Sequence, residues 1–119
     1  MIVHKRYRFT GTTAGQDESG GVTTIYIADA EGGPYFSLQR EFGSNLPQPE
    51  DLYIEYCHQG TSSYGSLKKL MLTRSRLEAQ LENGLAIQID LQITPEEWAS
   101  LQAGFDQLLV GLESFILYH

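Results

Sequence analysis

The last third of the chain carries its clearest alternation of apolar and polar positions. In "GLAIQIDLQI" the residues Leu85, Ile87, Ile89, Leu91 and Ile93 share one parity, with Gln88, Asp90 and Gln92 between them. A period of two buries one face of a strand and wets the other. The preceding "LEAQL" sets Leu77, Ala79 and Leu81 on one face. A two-residue Asn83-Gly84 turn would place Leu81 opposite Ala86 and bury the wrong half of one strand. A three-residue loop, Glu82-Asn83-Gly84, places Leu81 opposite Leu85 and Leu77 opposite Ile89, so the apolar faces coincide. Such a loop is a type I turn closed by a left-handed residue, the role that falls to Gly84. A turn at Arg74-Ser75 likewise sets Leu72 against Leu77 and Leu70 against Ala79. The expected product is a three-stranded meander with one apolar face, and with Arg76 opposite Asp90 on the wet one.

Upstream, Val3, Tyr7 and Phe9 share a face of a first strand. "VTTIYIADA" is β-branched and aromatic enough for a second strand, and "YFSLQREF" sets Phe36, Leu38 and Phe42 at one parity. "LYIEYCH" reads as a further strand. Between them, "TGTTAGQDESGG" reads as a flexible connection and "EGGP" as a turn. "GSNLPQPED" reads as a longer loop in which Pro47 and Pro49 cannot donate to a ladder. In "CHQGTSSYGSLKKLMLTR" the hydroxyls between glycines are ordinary turn composition, so this stretch is expected to be mostly a turn.

"TPEEW" has the marks of a helix start: Thr94 as N-cap, Pro95 at the first position and Glu97 closing a capping box. Trp98, Leu101, Phe105, Leu108 and Leu112 follow at three- and four-residue spacing and form one apolar stripe. The helix is expected to lie across the apolar face of the meander, with Gly111 ending or kinking it. Residues 112–119 either continue as helix or add a last strand. The fold class is therefore α+β and mostly β: an antiparallel sheet of about six to seven strands with one C-terminal amphipathic helix, in a single domain over residues 1–119.

Eight basic against fifteen acidic residues give a net charge of -7. That balance argues against a nucleic-acid footprint, which needs a basic face, and against docking on an anionic membrane. Beyond Arg76 there is no Lys or Arg, whereas Glu78, Glu82, Asp90, Glu96, Glu97, Asp106 and Glu113 all follow. Such a surface attracts a basic partner, and it is equally what an ordinary soluble surface looks like. A single cysteine excludes an internal disulfide framework and suits a reducing compartment. With no signal-like apolar segment at the start, a cytoplasmic location is expected.

Little in the chain suggests catalysis. Cys57 and His58 are neighbours on a strand and point to opposite faces, so they cannot pair as thiolate and imidazole. No Cys/His spacing matches a zinc site, and "GTSSYG" leads into a strand rather than the helix a phosphate loop needs. Glu50-Asp51 and Glu96-Glu97 have local explanations at a loop edge and at a helix start. No catalytic residue, metal or cofactor is expected. Tyr53, Tyr56 and Tyr64 cluster nearby, and tyrosine serves interfaces and half-buried sheet positions alike.

"YIEYCHQGTSSYGSLKKLMLTRSRLEAQL" resembles the central region of the immunity protein 10 family of bacterial polymorphic toxin systems. The positions that carry the resemblance are Gln59, Ser62 or Ser63, Tyr64-Gly65, Leu67 and the leucines Leu70, Leu72, Leu77 and Leu81. Upstream, "YFSLQREF" is similar to the family's strand with a Leu-Gln-Arg-like segment. The resemblance covers residues 35–93 and implies a mostly β protein without catalysis, which binds and blocks a cognate toxin domain. An acidic inhibitor covering a basic site fits that role. The expected partner contacts are Glu31, Glu50, Asp51, Glu55 and Tyr64, while Gln59, Gly65, Gly84 and Thr94 are read as structural. Two rival expectations stand beside it. One is an acidic adaptor or secretion chaperone, which would be an obligate dimer. The other is a small-ligand domain with polar groups converging around His58 and Cys57. The sequence leaves monomer and homodimer open.

Overall fold

The computed structural model describes residues 6–29, 33–41, 51–57, 61–64, 67–82, 84–112 and 117–118. Strand β1 (Arg6–Gly11) passes through Thr12 into β2 (Thr13–Ser19), which leads to β3 (Val22–Ala28), β4 (Tyr35–Glu41), β5 (Leu52–Cys57) and β6 (Thr61–Tyr64). Then come β7 (Leu67–Thr73), β8 (Arg76–Leu81), β9 (Ala86–Leu91), the helix α1 (Pro95–Leu108) and the short β10 (Leu117–Tyr118). These strands make two five-stranded sheets, ordered β1-β9-β8-β7-β10 and β2-β3-β4-β5-β6. The α+β, mostly β class is as expected, but the single sheet of six to seven strands is not. The chain changes sheets at Thr12, and β1 and β10 flank the meander as parallel partners of β9 and β7.

The meander β7–β9 has the expected register. Leu72 pairs with Leu77, Leu70 with Ala79, and Leu77 with Ile89. Gly84 has φ 91°, and its N–H donates to the Leu81 carbonyl at 3.1 Å. A left-handed backbone there closes the three-residue loop with no Cβ to oppose it.

The stretch "TGTTAGQDESGG" is no flexible connection: Thr13–Ser19 is β2, paired along its whole length with β3. Its polar composition hid it, because a strand at a sheet edge needs only backbone pairing and a few inward residues, here Ala14. Gly20 and Gly21, with φ 59° and 80°, form the tight turn into β3. Likewise "TSSY" is the edge strand β6 rather than only a turn. Leu117–Tyr118 is strand, which settles part of the open question over residues 112–119, and Gly111 (φ 82°) lies just past the end of the helix. Val3 and Phe42 lie outside the described residues.

The two sheets face each other across one core. Ile25, Leu38 and Ile54 form one cross-strand row of the second sheet, and Ile27, Phe36 and Tyr56 the next. Opposite them lie Phe9, Leu70, Leu77, Ala79, Ile87 and Ile89, all in the same buried cluster. The rings of Tyr7 and Tyr56 meet across the layers at 6.3 Å between centroids.

The helix starts as expected. The Thr94 N–H donates to Glu97 Oε1 at 3.0 Å, and the Glu97 N–H donates to Thr94 Oγ1 at 3.1 Å. Its seat differs from the expectation. Instead of crossing the meander, α1 packs on β2 and β3 of the other sheet, burying Leu101, Gly104, Phe105 and Leu108. Two tethers fix it there. The Ala14 N–H donates to the free oxygen of Glu97 at 3.0 Å, and Arg40 on β4 donates to the carbonyls of Leu108 and Val110 at 2.7 and 2.6 Å.

Candidate functional site

With the inner face of the β2–β6 sheet occupied by the core and the helix, none of the described elements packs over its outer face. Strand alternation sends every second residue there. Gly15, Tyr26, Ser37, Glu55 and Ser62 pair in one row across all five strands. Thr24, Gln39, Tyr53 and Tyr64 form the row on one side, and Ala28, Tyr35 and Cys57 the row on the other.

Tyr26 is 43% exposed, and its ring lies over Gly15: a Cβ at that glycine would stand 2.7 Å from the Tyr26 hydroxyl. The ring therefore leans towards β2, away from Ser37. Glu55 sits on this face one strand in from the edge strand β6. Tyr35 donates its hydroxyl to Glu55 Oε1, and Tyr53 donates to Oε2 at 2.8 Å. These two hydrogen bonds, the one from Tyr35 first, hold the carboxyl below the ordinary carboxylate range, against the smaller opposing effect of partial burial. The hydrogen bonds stabilise the charged form, so Tyr35→Phe is expected to raise the Glu55 titration midpoint, and Tyr53→Phe to raise it less. Carbon-13 NMR of the Glu55 carboxyl across the acid range checks this. An unmoved midpoint in both variants would exclude the phenols as the cause.

Charge is divided between the two sheets. Of the eight Lys and Arg residues, only Arg40 lies within β2–β6, and it points into the core at 3% exposure. The outer face of that sheet therefore presents Glu55, and Asp17 on β2, with no cation among the described residues. The opposite sheet holds Arg8 and Arg76 on its outer face, where both approach Asp90, at 3.8 and 3.2 Å. Such exposed pairs contribute little stability, but they leave Asp90 neutralised within the chain.

The expected partner contacts fall unevenly on this geometry. Glu55 lies on this face on β5, one strand in from the edge, and Tyr64 pairs with Tyr53 beside it. Asp51 is half-buried just before β5, away from Glu55. Glu31 and Glu50 lie outside the described residues, as do Gln59 and Gly65. Tyr56, grouped with Tyr53 by sequence proximity, turns inward at 7% exposure. Tyr26 and Tyr35 were overlooked, although both have the parity opposite to the apolar residues of their own strands. His58 lies outside the described residues, so the expected pocket around it does too.

Among the described residues no three His, Cys, Asp or Glu side chains come together to hold a metal ion, and no helix is long and apolar enough to cross a membrane. Two open depressions lie on the other sheet, one of 190 Å³ beside Met71 and Arg76 and one of 110 Å³ beside Gln80 and Ala86. Both are below the ~300 Å³ at which ligand clefts begin. The fold and the site define a two-sheet α+β domain whose most distinctive surface is a sheet face bearing tyrosines around the Glu55 carboxylate. Comparison with family models, curated proteins and solved structures found no match.

Proposed function

We propose that this chain is a non-enzymatic immunity protein, of the immunity protein 10 type, that binds a cognate bacterial toxin domain and blocks it in the cytoplasm. The observation that carries the reading is the segregation of charge: the outer face of the β2–β6 sheet bears tyrosines around a carboxylate and no cation among its described residues. Tyrosine brings large contact area at low entropic cost, and serine and glycine adapt around it, the chemistry that protein-binding surfaces favour. The Glu55 carboxylate adds attraction to a basic partner and raises the association rate. Among its described residues the same face presents no converging set of nucleophile, base and acid, which suits inhibition by contact.

The test is co-expression with the C-terminal domain of any large protein found to be encoded beside this chain. Rescue of growth and a stoichiometric copurifying complex are expected. Glu55→Lys should weaken that complex about tenfold and slow its formation. Glu78→Lys, the same charge change on the opposite sheet, should alter it less than twofold. Equal effects from the two variants would move the interface off this face, and absence of rescue and complex would retire the immunity reading.

A further inference from the structure

We infer that Glu55 is a receptor for one arginine side chain of a protein partner, its two oxygens held apart as a fork for the guanidinium. The inference rests on the immunity reading for the partner's identity but stands on its own geometry. A carboxylate has about four acceptor positions, two on each oxygen. At Glu55 the phenols divide between them: Tyr35 takes Oε1 and Tyr53 takes Oε2. Each oxygen so keeps an acceptor position, and both phenols act from the flanking rows, which fixes the plane of the carboxylate. Two parallel acceptors on a fixed plane match the paired N–H groups of arginine better than the point charge of lysine.

The chain itself shows a carboxylate whose two oxygens are already shared between cations, one guanidinium to each. At Asp90, Arg76 approaches Oδ1 and Arg8 approaches Oδ2. Glu55 has the same division of its oxygens, but phenols have replaced guanidinium groups, and no cation among the described residues reaches it. Phenols hold the carboxylate without neutralising it, so its charge remains for an external cation. The hydrogen bonds from Tyr35 and Tyr53 also lower its pKa, favouring the ionised form, which supports the geometric argument. Ser37 stands directly opposite Glu55 on β4, and Tyr26 lies beyond it on β3 with its ring turned to Gly15. The small serine leaves a low strip between the carboxylate and that exposed ring, along which the arginine stem can lie. Holding the acceptor rigid before contact lowers the ordering cost of binding.

The experiment is an NMR titration of isotope-labelled protein with the capped tripeptide acetyl-Gly-Arg-Gly-amide, and with its lysine counterpart, at matched ionic strength. A saturable shift at the Glu55 carboxyl is expected, with at least threefold tighter binding of the arginine peptide. Glu55→Gln should abolish the shift and leave the remaining amide spectrum in place. Tyr35→Phe with Tyr53→Phe should weaken binding severalfold while Glu55 remains. Shifts at Glu55 no larger than those at Glu78 or Asp106, or unchanged in Glu55→Gln, would overturn the inference. Peptide binding without a toxin complex would keep the site and remove the immunity reading. A toxin complex indifferent to Glu55→Gln would do the reverse.

Discussion

Replacing Arg40 by Met is expected to destabilise the fold by about 2–4 kcal/mol, from roughly 1–3 kcal/mol for each of two buried or part-buried carbonyls left without a donor. Arg40 is 3% exposed and donates from one terminal nitrogen to the carbonyls of Leu108 and Val110. Those carbonyls belong to the end of α1, where no further turn of helix satisfies them. The helix has no basic residue in its own last turn, so Arg40 supplies from β4 the positive charge that a helix C-terminus favours. Met keeps the volume and apolar stem but leaves the carbonyls without their donor, and unpaired buried acceptors are what make such changes expensive. Arg40→Lys retains the charge with a different donor geometry and should cost less. Urea unfolding of the three proteins measures the difference. Exchange of the Leu109 and Leu112 amides should also accelerate, because both close the helix end onto Phe105 and Leu109 carbonyls. A change below about 0.5 kcal/mol for Arg40→Met, within the usual range of surface substitutions, would refute this role.

The second large effect runs against helix propensity. Gly104 sits in the middle of α1, where alanine would ordinarily add about 1 kcal/mol. Here a Cβ would overlap Cγ2 of Ile25 and stand 3.1 Å from the Cβ of Gln16. Ile25 is fully buried and branched at the point of contact, so it cannot turn away without disturbing its neighbours Leu38 and Ile54. Gly104→Ala is therefore expected to lower stability by about 2 kcal/mol, as overpacking does. In an Ile25→Ala background, itself destabilised, the same substitution should become neutral or stabilising. That change of sign in the double-mutant cycle identifies the contact. A stabilising Gly104→Ala in the wild-type chain would mean that the helix does not approach β3 so closely.

Both residues left traces in the sequence that were easy to pass over. Arg40 shares the parity of Phe36 and Leu38, so a strand with that inner face must bury a cation and find acceptors for it. Gly104 interrupts a helix beside the stripe of Leu101 and Phe105, where a glycine needs a packing reason. Neither trace named its partner. The outward tyrosines are equally readable by parity: Tyr26, Tyr35 and Tyr53 oppose the apolar residues of their strands, whereas Tyr56 shares the parity of Leu52 and Ile54 and turns inward.

The meander, its Gly84 loop, the facing of Arg76 and Asp90 and the Thr94–Glu97 cap are all contacts between residues close in sequence. Their geometry follows from side-chain period and turn chemistry, so residue order was enough to specify them. The edge strands β2 and β6 were not legible, because an edge is held by backbone pairing that polar residues satisfy as well as apolar ones. The seat of the helix was not legible either. Its apolar stripe suits any apolar sheet face, and the chain builds two of them. The choice between them fell to contacts across many tens of residues: Gly104 against Ile25, Glu97 on the Ala14 amide and Arg40 on the last carbonyls. The same folding brought Tyr35 to the oxygen of Glu55 that its strand neighbour Tyr53 leaves open, because pairing of β4 with β5 joins positions that residue order keeps apart.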